Sequence, residues 1–139
     1  MDICTPSRAT QSALIKARPG IKVGLAAPSI LLVEYAKHKE TGHSHLLKLL
    51  DCKVDHANSA KEAIKLAKHA YDLVLIDTDL PDLCGLELSK LIKEQHHLIH
   101  VPIIALVNSD KSPRHGSVDE FISKPVTPEK LISVLSRWV

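Results

Sequence analysis

YDLVLIDTDLPDLCGLEL, residues 71–88, is the most informative stretch of the chain. Leu73-Val74-Leu75-Ile76 is a continuous apolar run, the pattern of a short strand covered on both faces, and it ends on Asp77. Leu88, Leu91 and Ile92 then mark a helix. Taken alone, Asp77 is an acid that ends a strand and opens a turn.

The flanking sequence repeats the strand–helix rhythm. Upstream, Ile30-Leu31-Leu32-Val33 is a second apolar run, Leu46, Leu47, Leu49 and Leu50 place a helix over 42–51, and Val54–Ala57 reads as a strand. Ser59 and Glu62 have the spacing of a capping box, with Ala60, Ala63, Ile64 and Ala67 on one helical face. Downstream, Val101–Val107 is a buried strand and Phe121-Ile122 a short one. Thr127-Pro128 opens a last helix with a hydroxyl cap and Pro at its first position, and Leu131, Val134, Leu135 and Trp138 form its inner face. Alternating apolar strands and helices predict an α/β domain with a mainly parallel sheet. Residues 1–28 read as a tail or linker, with a short strand at 21–25, and residues 29–139 as the domain. Ligand sites in such sheets lie at the carboxyl ends of the strands, and Glu34, Asp77, Val107 and Lys124 all follow strands.

Composition narrows the function. The chain has 139 residues, enough for one core, and a formal net charge of +2, too small to imply a nucleic-acid or membrane partner. One Trp, two Tyr and one Phe leave little surface for stacking bases. Cys4, Cys52 and Cys84 form no CxxC pair and are odd in number, which suits a reducing, cytoplasmic setting. No signal peptide or membrane span is read. Among nine histidines, His43 and His45 are two apart and His96, His97 and His100 cluster after a helix; they read as solvated surface groups.

Residues 71–88, with VPIIALV (101–107) and DEFISKP (119–125), resemble the receiver domains of response regulators. The resemblance covers roughly residues 29–139 and rests on the D-x-x-L-P-x-L-x-G spacing from Asp77 to Gly85 and on F-x-x-K-P at 121–125. It implies a single doubly wound, flavodoxin-like, five-stranded parallel sheet. It implies that Asp77 is the phosphoacceptor, Lys124 the cation that binds the phosphoryl oxygens and Phe121 the switch aromatic. The partner implied is a sensor histidine kinase or a histidine phosphotransfer protein, and the role is signalling rather than enzymatic turnover. The Lys-Pro-Val-Thr-Pro ending and residues 1–28 suit the receiver of a hybrid sensor kinase; oligomeric state stays open.

Three departures stand against that pattern. The adjacent acids expected after the first strand are Glu34 and Tyr35, and a phenol is a poor ligand for Mg²⁺. Glu34 and Asp77, with Asp79 as a substitute carboxylate, remain as the metal set. Val107 stands where the family has a hydroxyl. Only 16 residues separate Val107 from Lys124, and Pro113 and Gly116 lie among them, so the family's fourth helix is expected to be shortened or missing. The expectation is a phosphoacceptor with a weakened Mg²⁺ site and switch. Two other readings are open: a receiver-fold interaction module that is never phosphorylated, and a haloacid-dehalogenase-like phosphatase with Asp77 as nucleophile and Asp79 as general acid.

Overall fold

A computed structural model describes residues 27–35, 42–108 and 117–139. The apolar runs form strands β1 (Ser29–Val33), β2 (Lys53–Ala57), β3 (Leu73–Asp77), β4 (Ile103–Val107) and β5 (Glu120–Ser123). Among the described residues the helices are α1 (Gly42–Leu49), α2 (Ala60–Leu66), α3 (Gly85–Lys93) and α4 (Pro128–Trp138), with a 3₁₀ turn at His96–Leu98. Every strand pair is parallel and the order is β2-β1-β3-β4-β5. This is the doubly wound, flavodoxin-like arrangement, whose switch point lies between β1 and β3.

The central strands carry the continuous apolar runs 30–33, 73–76 and 103–107 because both of their faces are covered. Ile30, Leu32, Leu73, Leu75, Ile104 and Leu106 pack on one side with Leu47 of α1 and with Leu131, Val134 and Leu135 of α4. Leu31, Val33, Val74, Ile76 and Ile103 pack on the other with Ala60 and Ala63 of α2, and with Leu88 and Ile92 of α3. The edge strand β2 alternates exposed and covered residues instead, as one covered face requires.

Several element limits differ from the sequence expectation, each for a visible reason. Helix α1 stops at Leu49, not 51, because Asp51 takes a left-handed conformation (φ 65°). The Cys52 N–H then reaches the Leu47 carbonyl and the Asp51 N–H reaches that of Lys48. This closure usually uses Gly, so its signal was missing from the sequence. Ser59 caps α2 as expected, accepting from the Glu62 N–H, but Glu62 reaches back to the Asn58 N–H, one residue beyond the cap. Ile64, Leu91 and Trp138 are exposed rather than inward; the smaller face of Ala60, Ala63 and Ala67 is what α2 buries.

The expected shortening or loss of the helix between β4 and β5 falls on a connection of which residues 109–116 lie outside the described residues. The expected strand at 21–25 and nearly all of the 1–28 tail also fall outside the described residues. Among the described residues no helix is long and apolar enough to cross a membrane.

Candidate functional site

The parallel sheet places four residues singled out in the sequence at one end. Asp77 is the last residue of β3, Val107 the last of β4, Glu34 follows β1 and Lys124 follows β5. Val33 pairs with Ile76, so Glu34 stands one register step on, beside Asp77. β4 separates β3 from β5, so Asp77 and Lys124 do not face each other across adjoining strand tips; the long Lys124 side chain spans the intervening tip.

The Lys124 ammonium lies 2.8 Å from each Asp77 carboxylate oxygen. Both side chains are largely covered, at 28% and 14% exposure, so water screens the pair only partly. The Lys124 N–H donates to the Val107 carbonyl at 2.8 Å, which fixes where its side chain starts. Asp77 Oδ1 also accepts the Asp79 N–H at 2.9 Å, shaping the turn after β3. Gly85 closes that turn: a Cβ there would come within 2.4 Å of the Asp77 carbonyl and 2.9 Å of the Thr78 Cα, and its N–H donates to the Thr78 carbonyl. The Asp77-to-Gly85 spacing therefore has a steric basis.

Other parts of the expected set are engaged differently. Asp79 is exposed; it accepts from Asn108 Nδ2 at 2.6 Å and lies 4.0 Å from Lys124. Val107 is fully buried with Leu86 and Ala105, and Phe121 packs against them, so the Phe121 ring touches an apolar wall. The nearby Thr78 hydroxyl donates to the Leu106 carbonyl. Tyr35 is 59% exposed.

Glu34 is buried, and both of its carboxylate oxygens lie against His43 Nδ1, at 2.8 and 3.0 Å. The hydrogen bond to Glu34 raises the His43 pKa; burial opposes this, and the charge of Asp77 adds to it. His56 Nε2 meets the Glu34 carbonyl at 2.8 Å and the Glu34 N–H donates to Ala57, so backbone and side chain are both held. His43, His56 and Asn108 were not singled out as site residues from sequence. Their only signal was position: the start of α1, a pleat of β2 and the residue after β4.

Mg²⁺ prefers near-octahedral oxygen coordination through one or two carboxylates. Here Glu34 is engaged by His43 and Asp77 by Lys124, and among the described residues no three His, Cys, Asp or Glu side chains gather as a metal site. A Mg²⁺ ion held here by Asp77 and Glu34 would have to share or displace these contacts.

A 2-1-3-4-5 parallel sheet with an Asp–Lys pair across its strand tips defines a receiver-type domain. The chain belongs to the response regulator receiver domain family, whose sequence model matches residues 30–136. It is similar to the polar-differentiation response regulator DivK of Brucella ovis, 33% identical over 87 residues, covering 58% of this chain and 71% of that protein. Among solved structures it is similar to the receiver domain of the sensor histidine kinase PA1611 of Pseudomonas aeruginosa, which has magnesium in its active-site cleft. The TM-score is 0.74 at 29% identity, covering 81% of this chain and 98% of that one. It is also similar to the chemotaxis protein CheY4 of Vibrio cholerae, with TM-score 0.72 and 25% identity over 82% of this chain and all of that one.

Proposed function

We propose that this receiver domain, residues 29–139, accepts a phosphoryl group on Asp77 from a phosphohistidine of a sensor kinase or histidine phosphotransfer protein in the cytoplasm. The observation that carries the reading is the Lys124 ammonium at 2.8 Å from both Asp77 oxygens. An Asp77 carboxylate oxygen attacks phosphorus, the new O–P bond forms as the N–P bond of the donor breaks, and the donor imidazole leaves with the bonding pair. Lys124 can follow the charge from the carboxylate to the phosphoryl oxygens as a mobile point charge. The domain is a signalling module, and its response is muted. Val107 has no hydroxyl to bond the phosphoryl group, so Phe121 receives a weaker pull than a Ser or Thr would transmit. A weak Mg²⁺ site accords with Tyr35 and with the engagement of Glu34.

The test is incubation with a small phosphodonor, with and without Mg²⁺, followed by intact-mass analysis. The expected product carries one phosphoryl group, is cleaved by hydroxylamine and is absent in Asp77→Asn. A second reading, an interaction module that is never phosphorylated, draws on the His43–Glu34 contact and the apolar Val107. Absence of labelling from small donors and from a phosphohistidine partner alike would favour it. The phosphatase reading finds no support in an Asp79 carboxylate that is exposed and bonded to Asn108.

A further inference from the structure

The carboxylates and nitrogen donors at the strand tips pair one to one. Lys124 covers Asp77, and His43 covers Glu34 with Nδ1 near both oxygens. Glu34 cannot easily turn away from this contact. It is buried, and its own N–H and carbonyl are tied to Ala57 and His56. His43 sits in the first turn of α1, an element packed on the sheet through Leu47, so its ring is held on Glu34 by a folded helix.

We propose that His43 is a built-in competitor for divalent cations: it occupies the Glu34 carboxylate and thereby keeps Mg²⁺ out of the receiver site. A cation entering beside Asp77 must break a hydrogen bond to a buried carboxylate, or bind without Glu34. In the latter case Tyr35, a neutral and exposed phenol, offers little in compensation. His43, rather than the loss of an acid at position 35 alone, sets the low divalent affinity. The inference concerns the same site as the phosphoacceptor reading, but its test needs no phosphoryl transfer.

Mg²⁺ alone is titrated into the full chain without phosphodonor, followed by amide chemical shifts. Removing the competitor in His43→Ala, and independently in His43→Ser, should tighten Mg²⁺ binding by about tenfold, ~1.4 kcal/mol. His43→Lys, which restores a nitrogen donor, should leave binding weak. Glu34→Gln in the His43→Ala background should abolish the gain. Unchanged Mg²⁺ affinity in both small variants would overturn the proposal. Weaker binding in them would also overturn it, by making His43 a ligand rather than a competitor. A gain in affinity without any labelling of Asp77 would uphold this inference while removing the phosphoacceptor reading; labelling without the gain would do the reverse.

Discussion

Gly85 shows how tightly single residues are constrained around Asp77. A methyl group at this position would meet the Asp77 carbonyl and the Ile76 side chain, neither of which is a free chain end. Gly85→Ala should therefore destabilise the domain by roughly 1–3 kcal/mol, read as a lower urea midpoint. It should also disturb the amide resonances of residues 77–79. Asp77, Gly85 and Lys124 were legible through the receiver resemblance carried by the 77–85 and 121–125 spacings, and the structure gives those spacings a local reason: a strand end, a close turn and a residue just past a strand. His43 was not. Its contact with Glu34 joins the start of α1 to the residue after β1, and no periodicity encodes that pairing. Asn108 escaped for a similar reason, since its partner Asp79 lies 29 residues away.

Helix termini carry the predictions at the next scale. Thr127 Oγ1 accepts the Lys130 N–H at 3.2 Å at the start of α4, and Thr127→Ala should cost about 1 kcal/mol in chemical denaturation. The start of α2 is held from a distance. Asp82, in the turn after β3, accepts the N–H groups of Ala60 at 2.9 Å and Lys61 at 3.0 Å. These hydrogen bonds, first that of Ala60, hold the Asp82 carboxyl below its ordinary pKa. A depressed carboxyl pKa favours the folded state above the unfolded value, and the benefit disappears as pH falls through the folded value. The melting temperature of wild type should thus exceed that of Asp82→Asn near neutral pH, with the gap closing below about pH 4. A gap that stays constant across the acid range would show that the charge of Asp82 has no part in it. The cap at Thr127 could be read from Thr-Pro, whereas the tie from Asp82 joins two connections separated by a strand and is invisible to local patterns. The end of α1 at Asp51 was likewise hidden, because an acid stands where glycine is the usual marker.

For the whole molecule, the alternation of apolar runs with helical segments was enough to indicate the parallel sheet, since strands buried on both faces leave a continuous apolar signature. Strand order is a long-range property that the runs themselves do not carry. That order puts β4 between Asp77 and Lys124, with Val107 at the tip in between. Phosphorylation should consequently move the β5 amides around Phe121 less than in Val107→Thr, where a hydroxyl is supplied. Equal shifts in the two proteins would show that the switch does not pass through position 107. The most direct test of the account is the intact mass of wild type, Asp77→Asn and Lys124→Ala after exposure to a phosphohistidine donor. One hydroxylamine-labile phosphoryl group is expected on wild type, none on Asp77→Asn and a strongly reduced amount on Lys124→Ala. Labelling that survives Asp77→Asn, or is indifferent to loss of Lys124, would contradict the central role given to this pair.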